Sequence, residues 1–324
     1  MRLLWTKVPK PLEEAAAACR SHLLMTAGFS ALINILYLAP TIYMKQVYDR
    51  VVPTNGVTTL LWQTLIVGLA IAVLTSLDSV RQHVMLRASM RLNRLLSSVI
   101  LDRSMLRTKD GVAGSQGLRE FDTLRSVLTG PGVMALFDAP WAPLYLGVAF
   151  LIHPLLGLLV LTGGAVLVVL AVANERSNRE RAGLAHDTMA KAYAAQDVTF
   201  RRSESVRALG MRAAMVNRHT RERQAGLEAM QALQFSGARY NALVKFVRMF
   251  MQSVALGVGA LLAVKGEISV GAIIAASVLL SRALQPVEQL VGSWSQVLQA
   301  KQALASIDSL FARTESASSQ RLRC

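Results

Sequence analysis

The chain has 324 residues, of which 53% are hydrophobic and 17% charged, whereas soluble globular domains usually carry about 25% charged residues. This composition excludes an ordinary soluble domain and predicts that much of the chain is surrounded by lipid. The net charge of +15 would suit a nucleic-acid-binding protein only if the cations formed one patch, and they lie instead in particular loops between apolar runs.

Six apolar runs are long enough to cross a membrane, which requires roughly 20 mostly apolar residues. They cover residues 23–44, 57–77, 133–152, 155–173, 246–264 and 268–290. Backbone groups in lipid must be bonded within the protein, and barrel strands alternate in polarity, so runs this continuous predict helices. The predicted fold class is an all-α membrane protein with six transmembrane helices. Its membrane domain covers residues 23–312, between an N-terminal segment, 1–22, and a C-terminal tail, 313–324.

The connectors between these runs alternate in length and in charge. Those after the first, third and fifth runs are short, with the first placed at residues 45–56, and those after the second and fourth are long. Of the 35 Lys and Arg residues, 30 lie in the two long connectors and the two terminal segments. Positive charge accumulates on the cytoplasmic side of a membrane. Both termini and both long connectors are therefore predicted to be cytoplasmic.

Each long connector is predicted to be a helical hairpin. In the first, apolar residues recur from Val84 to Val99 at the spacing of one helix face, so the second helix should continue far beyond the membrane. Breaks are predicted at Asp110–Gly111 and at Gly114–Gly117, before a return helix. In the second connector, a helix is predicted to continue to about Leu209, with Gly210 as the break.

Four strings carry a resemblance to a known family. They are PTIYMKQVYDRVVP at 40–53, the stretch 117–154 with its core LFDAPWAPLY, SESVRALGM at 203–211, and GEISVGAIIAASVLLSRALQPVEQL at 266–290. Together with the two hairpins, they resemble the type 1 exporter domain of ABC transporters, and within it the transporters of type I protein secretion. With about 20 residues before the first span, the sequence is most similar to the subgroup that exports proteases and lipases.

The resemblance implies a homodimer in the inner membrane, with spans four and five crossing to the partner copy. It implies an unfolded polypeptide as the cargo, and a periplasmic membrane-fusion adaptor and an outer-membrane channel as further partners; nucleic acid is not expected. In this family an ATPase domain normally follows the sixth span and binds ATP and Mg²⁺. The chain contains no G-x-x-x-x-G-K-[ST] phosphate loop and no arrangement typical of a catalytic or metal site, so we expect those functions elsewhere. A motor-less fragment or a non-transporting membrane interaction protein remains the alternative.

The resemblance also implies that the hairpin tips are coupling helices that dock onto ATPase domains, whereas without it they would be two surface turns. The predicted coupling residues are Gly114, Ser115, Gln116, Gly117, Leu118, Arg119, Glu120, Arg201, Arg202, Ser203, Glu204, Arg207, Gly210 and Met211.

The third span begins with an acid and two prolines that predict a flexible joint. Asp138 requires a polar partner or a position at a helix end, because a carboxylate is costly in the membrane. Pro140 and Pro143 favour a kink. The alternative is that Trp141 and Tyr145 simply anchor the span at the headgroups.

The sixth span carries Arg282, Gln285, Pro286 and Glu288, which predict a polar wall of the translocation path. Arg282 and Glu288 are six positions apart and should not pair. The alternative is that the span ends near Arg282 and these side chains reach the cytoplasm. Weaker candidates of the same kind are Asn34 and Arg248. Asp78 is predicted to be a helix-end residue, and the segment Tyr48-Asp49-Arg50 either a polar turn or a contact for a periplasmic partner.

Overall fold

The computed structural model describes residues 14–15, 17–106 and 113–321, and nearly all of them are helical. The helices are α1 (Arg20–Leu36), α2 (Leu38–Gln46), α3 (Val57–Leu106), α4 (Ala113–Leu128), α5 (Pro131–Asp138), α6 (Ala142–Ile152), α7 (Pro154–Arg201), α8 (Ser203–Ala208), α9 (Arg212–Val264), α10 (Val270–Gly292) and α11 (Trp294–Arg321). No strand occurs within these residues.

Six helical segments are long and apolar enough to cross a membrane, which confirms the predicted number of spans. They are Arg20–Thr54, Val57–Ser104, Pro131–Ile152, Pro154–Arg201, Arg212–Val264 and Val270–Gly292. Helices α7 and α9 have 48 and 53 residues. At 1.5 Å per residue they are about 70–80 Å long, well over the roughly 30 Å of the hydrocarbon core. Each therefore extends far beyond the membrane, as the hairpin prediction requires.

The predicted loop at residues 45–56 is wrong, because the chain stays helical there. A π-helical turn, Val47–Val51, continues α2 and leads into a short helical turn, Val52–Thr54. Pro53 is the second residue of that short turn, directly after the π-helical segment. Asn55, with a φ of 51°, ends the helical run.

The predicted helix break at Gly114–Gly117 is also wrong, because α4 begins at Ala113 and includes these residues. Gly117 is buried, and the α4 side chains that follow it pack on α3 and α11; they are Leu118, Phe121, Leu124 and Leu128. Burial of this apolar face outweighs the low helix propensity of glycine, which costs about 1 kcal/mol per residue. The other predicted break, Asp110–Gly111, lies outside the described residues.

In the second hairpin the long helix ends earlier than predicted. Helix α7 ends at Arg201, and α8 is a separate short helix that ends before Gly210. Gly210 has a φ of 67°, its N–H donates to Arg207 O, and Met211 N–H donates to Val206 O. This pair of bonds is a Schellman motif, in which the left-handed residue is usually glycine. The predicted break at Gly210 is confirmed. The break at Arg202 was not predicted, because neither glycine nor proline occurs there.

Two apolar cores hold the helices together. One lies among α6, α7, α9 and α10 and includes Tyr145, Leu167, Val244 and Leu280. The other lies among the residues just before α1, which include Ala15 and Cys19, and helices α3, α4 and α11. Helix α10 is the most enclosed span, with 56% of its most apolar window buried, against 6% for α3. Helix α10 is therefore the span around which the others pack.

Asp49 caps the start of α10, which assigns it a structural role. Its Oδ1 accepts the Gly271 N–H at 2.7 Å, and its Oδ2 accepts the Ser269 hydroxyl at 2.6 Å. An anionic acceptor at a helix N-terminus satisfies free N–H groups and interacts favourably with the helix dipole. This contact fixes the N-terminal end of α10 against the turn that follows α2.

We expect Gly271→Ala to destabilise the protein by about 1–3 kcal/mol, because overpacking of a tight contact costs that much. A Cβ at Gly271 would overlap the Lys45 carbonyl oxygen and Asp49 Oδ1, and a backbone oxygen cannot move aside easily. The control is Gly257→Ala on α9, where nothing lies within 4 Å of the added carbon. Reversible unfolding in mixed micelles should show a lower free energy of unfolding for Gly271→Ala but not for Gly257→Ala. Equal stabilities of the two variants would contradict the close contact between α10 and the Lys45–Asp49 segment.

Candidate functional site: two polar cavities in the membrane bundle

A polar cavity of about 580 Å³ opens between helices α1, α3, α5, α6 and α10. Its walls combine charged groups from several spans with amides and aromatic rings. The charged and polar lining residues include Asn34, Tyr37, Asp78, Arg81, His83, Asp138, Tyr145, Arg282, Gln285 and Gln289. Polar groups from separate spans that converge on one cavity are the arrangement expected of a binding site or pathway in a membrane protein.

Arg81 is the centre of a buried ion cluster on one wall. Its Nη1 donates to Asp138 Oδ1 at 2.7 Å and to the Ser30 hydroxyl at 2.8 Å, and its Nη2 donates to Asp78 Oδ1 at 2.7 Å. Only 7% of Arg81 is exposed. The cluster joins α1, α3 and α5, and it supplies the polar partner that Asp138 was predicted to need.

Asn34 and Tyr145 extend this cluster toward α6. Asn34 Nδ2 donates to Asp138 Oδ1 at 3.1 Å, and the Tyr145 hydroxyl lies 2.9 Å from both Asn34 O and Asn34 Oδ1. Tyr145 is 1% exposed, so the alternative that it anchors the span at the headgroups is wrong. Asp78 lies inside α3, not at a helix end, and pairs with Arg81, so that prediction is wrong as well.

The α-helix of the third span is interrupted at the two prolines, where a kink was predicted. Residues Ala139–Trp141 form a 3-10 turn between α5 and α6, with Pro140 inside it and Pro143 in the first turn of α6. Proline removes a backbone donor and clashes with the preceding turn, so a continuous α-helix cannot form here. Asp138 is the last residue of α5, directly before this break. The break therefore adjoins the ion cluster, and its role as a joint remains a prediction.

A second cavity of about 740 Å³ lies on the other side of α10, toward α9. Arg248 on α9 forms a salt bridge with Glu288 on α10, with 2.5 Å between Nε and Oε2, and its Nη1 donates to the Ser281 hydroxyl. Arg282, Gln285 and Gln289 line both cavities. Helix α10 therefore presents polar side chains to a cavity on each side.

Helix α10 continues through Pro286 to Gly292, and the alternative that the membrane span ends near Arg282 remains open because a helix can extend beyond the membrane. Arg282 and Glu288 do not pair, as their spacing predicts. Arg282 Nη1 instead donates to Gln285 Oε1 at 3.1 Å, and the Arg282 guanidinium lies 4.0 Å from the centre of the Tyr37 ring. All three predicted polar residues of this span line at least one cavity.

At the first hairpin, the predicted coupling residues Arg119 and Glu120 face the second hairpin. Arg119 lies 3.3 Å from Asp197 and over the ring of Tyr193, and Glu120 Oε1 lies 3.2 Å from His186 Nε2. The side chains of 114–116 lie outside the described residues. In this chain the stretch 114–120 forms the first two turns of α4, not a separate short helix.

At the second hairpin, the short helix predicted between Arg201 and Met211 exists as α8. Arg201 ends α7, Arg202 separates the two helices, and Ser203, Glu204 and Arg207 lie on α8. Two apolar side chains at this tip were not among the predicted site residues: Phe200 is 72% exposed and Leu209 71% exposed. The sequence could have indicated them, because apolar residues within an otherwise charged segment are typical of a contact surface.

The contact between His186 and Glu120 depends on pH. The hydrogen bond that His186 donates to the Glu120 carboxylate raises the pKa of His186 above its usual value, burial lowers it by less, and Asp187 adds to the increase. Because the pKa of His186 is higher in the folded state than in the unfolded state, protonation of His186 stabilises the fold. This stabilisation is complete below the unfolded-state pKa, about 6.5, and is lost as the pH rises through the folded-state pKa.

We therefore expect the free energy of unfolding of the protein, relative to a His186→Gln variant, to be greatest below about pH 6.5. The difference should decrease at higher pH, because neutral imidazole no longer carries the charge that Glu120 favours. Denaturant unfolding at several pH values measures this difference in the free energy of unfolding, and His83→Gln is the control because His83 is exposed. A difference that is constant with pH would contradict the ion-pair assignment.

Three comparisons identify the family. The sequence matches the family described as ABC transporter transmembrane region over residues 23–287. It is 34% identical over 287 residues, 88% of this chain and 49% of the relative, to the type I secretion system ATP-binding protein PrsD of Rhizobium meliloti (strain 1021). It is 23% identical to the toxin RTX-I translocation ATP-binding protein of Actinobacillus pleuropneumoniae, over 86% of this chain and 40% of that protein.

The fold resembles that of a bacterial Atm1-family ABC exporter with ATP bound, with a TM-score of 0.73 and 16% identity over 92% of this chain and 54% of that one. The chain spans about half the length, or less, of the curated relatives it matches. These comparisons confirm the predicted resemblance, the fold class and the multi-pass membrane assignment. The chain therefore belongs to the ABC transporter transmembrane region family and is an exporter-type membrane domain.

Proposed function

We propose that this chain forms the membrane pathway of an ATP-driven exporter that moves polypeptides out of the cell by type I secretion. The observation that carries the proposal is the 34% identity, over 88% of the chain, to a protein named for type I secretion. The polar cavities support it, because a polypeptide needs hydrogen-bonding walls to cross the hydrocarbon core. Polar side chains converge on them from α1, α3, α5, α9 and α10.

The driving force would come from ABC ATPase domains that bind ATP and Mg²⁺ and contact the hairpin tips. The relatives are named as ATP-binding proteins, and the sequence of this chain has no phosphate loop of its own. Exposed Phe200 and Leu209, beside Arg201, Arg202 and Arg207, give the second tip an apolar and basic surface suited to a protein groove. The residues 114–120 would contribute the first contact.

The exporter would work as a homodimer in which the second copy covers part of α3 and spans four and five cross to the partner. Helix α3 carries a dense set of exposed apolar side chains, including Leu61, Trp62, Leu65, Ile66 and Leu69. A single copy leaves each cavity open at its side. A second copy would close the two sets of cavities around one central path, with Asp138 and the 3-10 turn as the joint.

The cation distribution supports an inner-membrane location with both termini and both hairpins in the cytoplasm. The short connection between α9 and α10, with Lys265 and Glu267, would then face the periplasm. A membrane-fusion adaptor and an outer-membrane channel would continue the path from there. Exposed Tyr48 and Arg50 lie on the same side and are available for the adaptor.

Reconstitution with an ATPase domain tests the proposal. The chain would be co-expressed with an ABC ATPase domain from the same genome, purified and placed in nanodiscs, and ATP hydrolysis measured with and without an unfolded polypeptide. We expect the ATPase domain to remain bound and its rate to rise with the polypeptide. A chain that retains no ATPase domain would instead be a motor-less interaction protein.

A further inference from the structure

Arg282 differs from the other arginines that line the cavities, because no carboxylate among the described residues forms a salt bridge with it. Arg81 is paired with Asp78 and Asp138, and Arg248 with Glu288. Within the part of the chain that the structure describes, Arg282 forms no salt bridge. Its contacts are the oxygen of Gln285 and the ring face of Tyr37.

The position of Arg282 along α10 favours a partner other than a lipid headgroup. It lies 12 residues from Val270 at the start of α10 and 10 residues from Gly292 at its end. At 1.5 Å per residue, these separations are about 18 Å and about 15 Å, so Arg282 lies near the middle of α10. A span formed by the whole of α10 would hold Arg282 near the middle of a core roughly 30 Å thick, away from the lipid phosphates. A cation at this depth is costly and marks a functional site unless it is paired.

Arg282 lines both cavities, and the other charged groups of the two cavities differ. In the first cavity, the cluster of Asp78, Arg81 and Asp138 carries a net charge of −1 and faces the +1 of Arg282. In the second cavity, Arg248 and Glu288 neutralise each other, and Arg282 is the remaining charge. An anion that enters the second cavity therefore meets an available guanidinium.

We propose that Arg282 binds a carboxylate of the transported polypeptide in the second cavity. The planar guanidinium presents several donors that match the two oxygens of a carboxylate. Neutral side chains around it, Gln252, Ser281 and Gln289, can bond the adjacent peptide groups. The proposal rests on the proposed function, since it names the chemical group by which that pathway recognises its cargo.

Peptide binding to the purified chain in nanodiscs of neutral phosphatidylcholine tests the proposal. Three labelled, otherwise uncharged peptides of about 20 residues would be compared by fluorescence anisotropy: one with a single central Glu and an amidated end, the same peptide with Gln, and the Gln peptide with a free terminal carboxylate. We expect the protein to bind one or both carboxylate peptides about tenfold more tightly than the amidated Gln peptide, the difference typical of a charge-assisted bond.

In Arg282→Gln the preference should fall below about twofold, and Arg282→Lys should restore part of it, because a cation is present again. The matched control is Arg87→Gln, which removes the same charge at an exposed site outside both cavities and should keep the full preference. The two carboxylate peptides show whether a side chain or the chain terminus is the preferred ligand.

Equal binding of all three peptides by the wild-type protein would overturn this inference while leaving the polypeptide pathway intact. Failure to bind any of them would overturn both. A preference that survives in Arg282→Gln would also overturn it, because another group would then bind the anion. Loss of the preference when anionic phosphatidylglycerol is added would show that a headgroup reaches Arg282 after all, and would overturn it too.

Discussion

Arg81→Met is expected to destabilise the membrane bundle by about 3–5 kcal/mol, the cost of removing one partner from a buried ion pair. The change leaves Asp78 and Asp138 without their cation, and Asp138 is 17% exposed in a membrane setting where an unpaired carboxylate is costly. It also removes the bond to the Ser30 hydroxyl that ties α1 to α3. Unfolding by SDS in mixed micelles, followed by circular dichroism, measures the loss.

Arg87→Met is the matched control, because Arg87 lies on the same helix but is exposed. Its effect should stay within about 0.5 kcal/mol, as for most surface substitutions. A double variant with Asp138→Asn should recover part of the lost stability, since it removes one of the two stranded charges. If Arg81→Met and Arg87→Met have equal stabilities, the ion cluster does not hold these helices together.

Leu209→Asp is expected to reduce polypeptide-stimulated ATP hydrolysis by about tenfold or more in the reconstituted complex. Leu209 is 71% exposed at the tip of the second hairpin, so the chain itself gains little from it, whereas a docked ATPase domain would bury it. A carboxylate buried without a partner in that contact would cost several times RT. The measurement is the hydrolysis rate at saturating ATP, with the amount of bound ATPase domain recorded in parallel.

The control for this variant is Leu184→Asp on α7, which is similarly exposed but lies away from the tip. Both variants should unfold at the same denaturant concentration as the unchanged protein, because neither side chain packs in the core. An undiminished ATPase rate in Leu209→Asp would rule out this tip as the coupling contact. A loss in both variants would point to a general surface effect and equally contradict the assignment.

Features that depend on local sequence were predictable. Each span follows from a run of apolar residues, and the extension of α3 follows from the spacing of Val84, Ala88 and Leu92 on one helix face. Pro140 and Pro143 marked the break in the third span, since proline acts on its own turn. Gly210 marked the turn of the second hairpin, because the left-handed conformation favours glycine.

Features that depend on contacts between distant segments were not predictable. Arg81 meets Asp138, which is 57 positions away, and Asn34 meets Asp138 across 104 positions. One local signal existed, since Asp78 and Arg81 stand three apart at the end of an apolar run, but it does not identify the third partner. The helix through Gly114–Gly117 was missed for the same reason: it is stabilised by packing against α3 and α11.

The central claim is that both long hairpins lie on the opposite side of the membrane from the turn between α9 and α10. Single cysteines placed by Leu209→Cys and Lys265→Cys, with Cys19 and Cys324 replaced by alanine, test it with a membrane-impermeant maleimide. In spheroplasts, Lys265→Cys should be labelled and Leu209→Cys should not, and inverted vesicles should reverse the pattern. Labelling of Leu209→Cys from the periplasmic side would contradict the account.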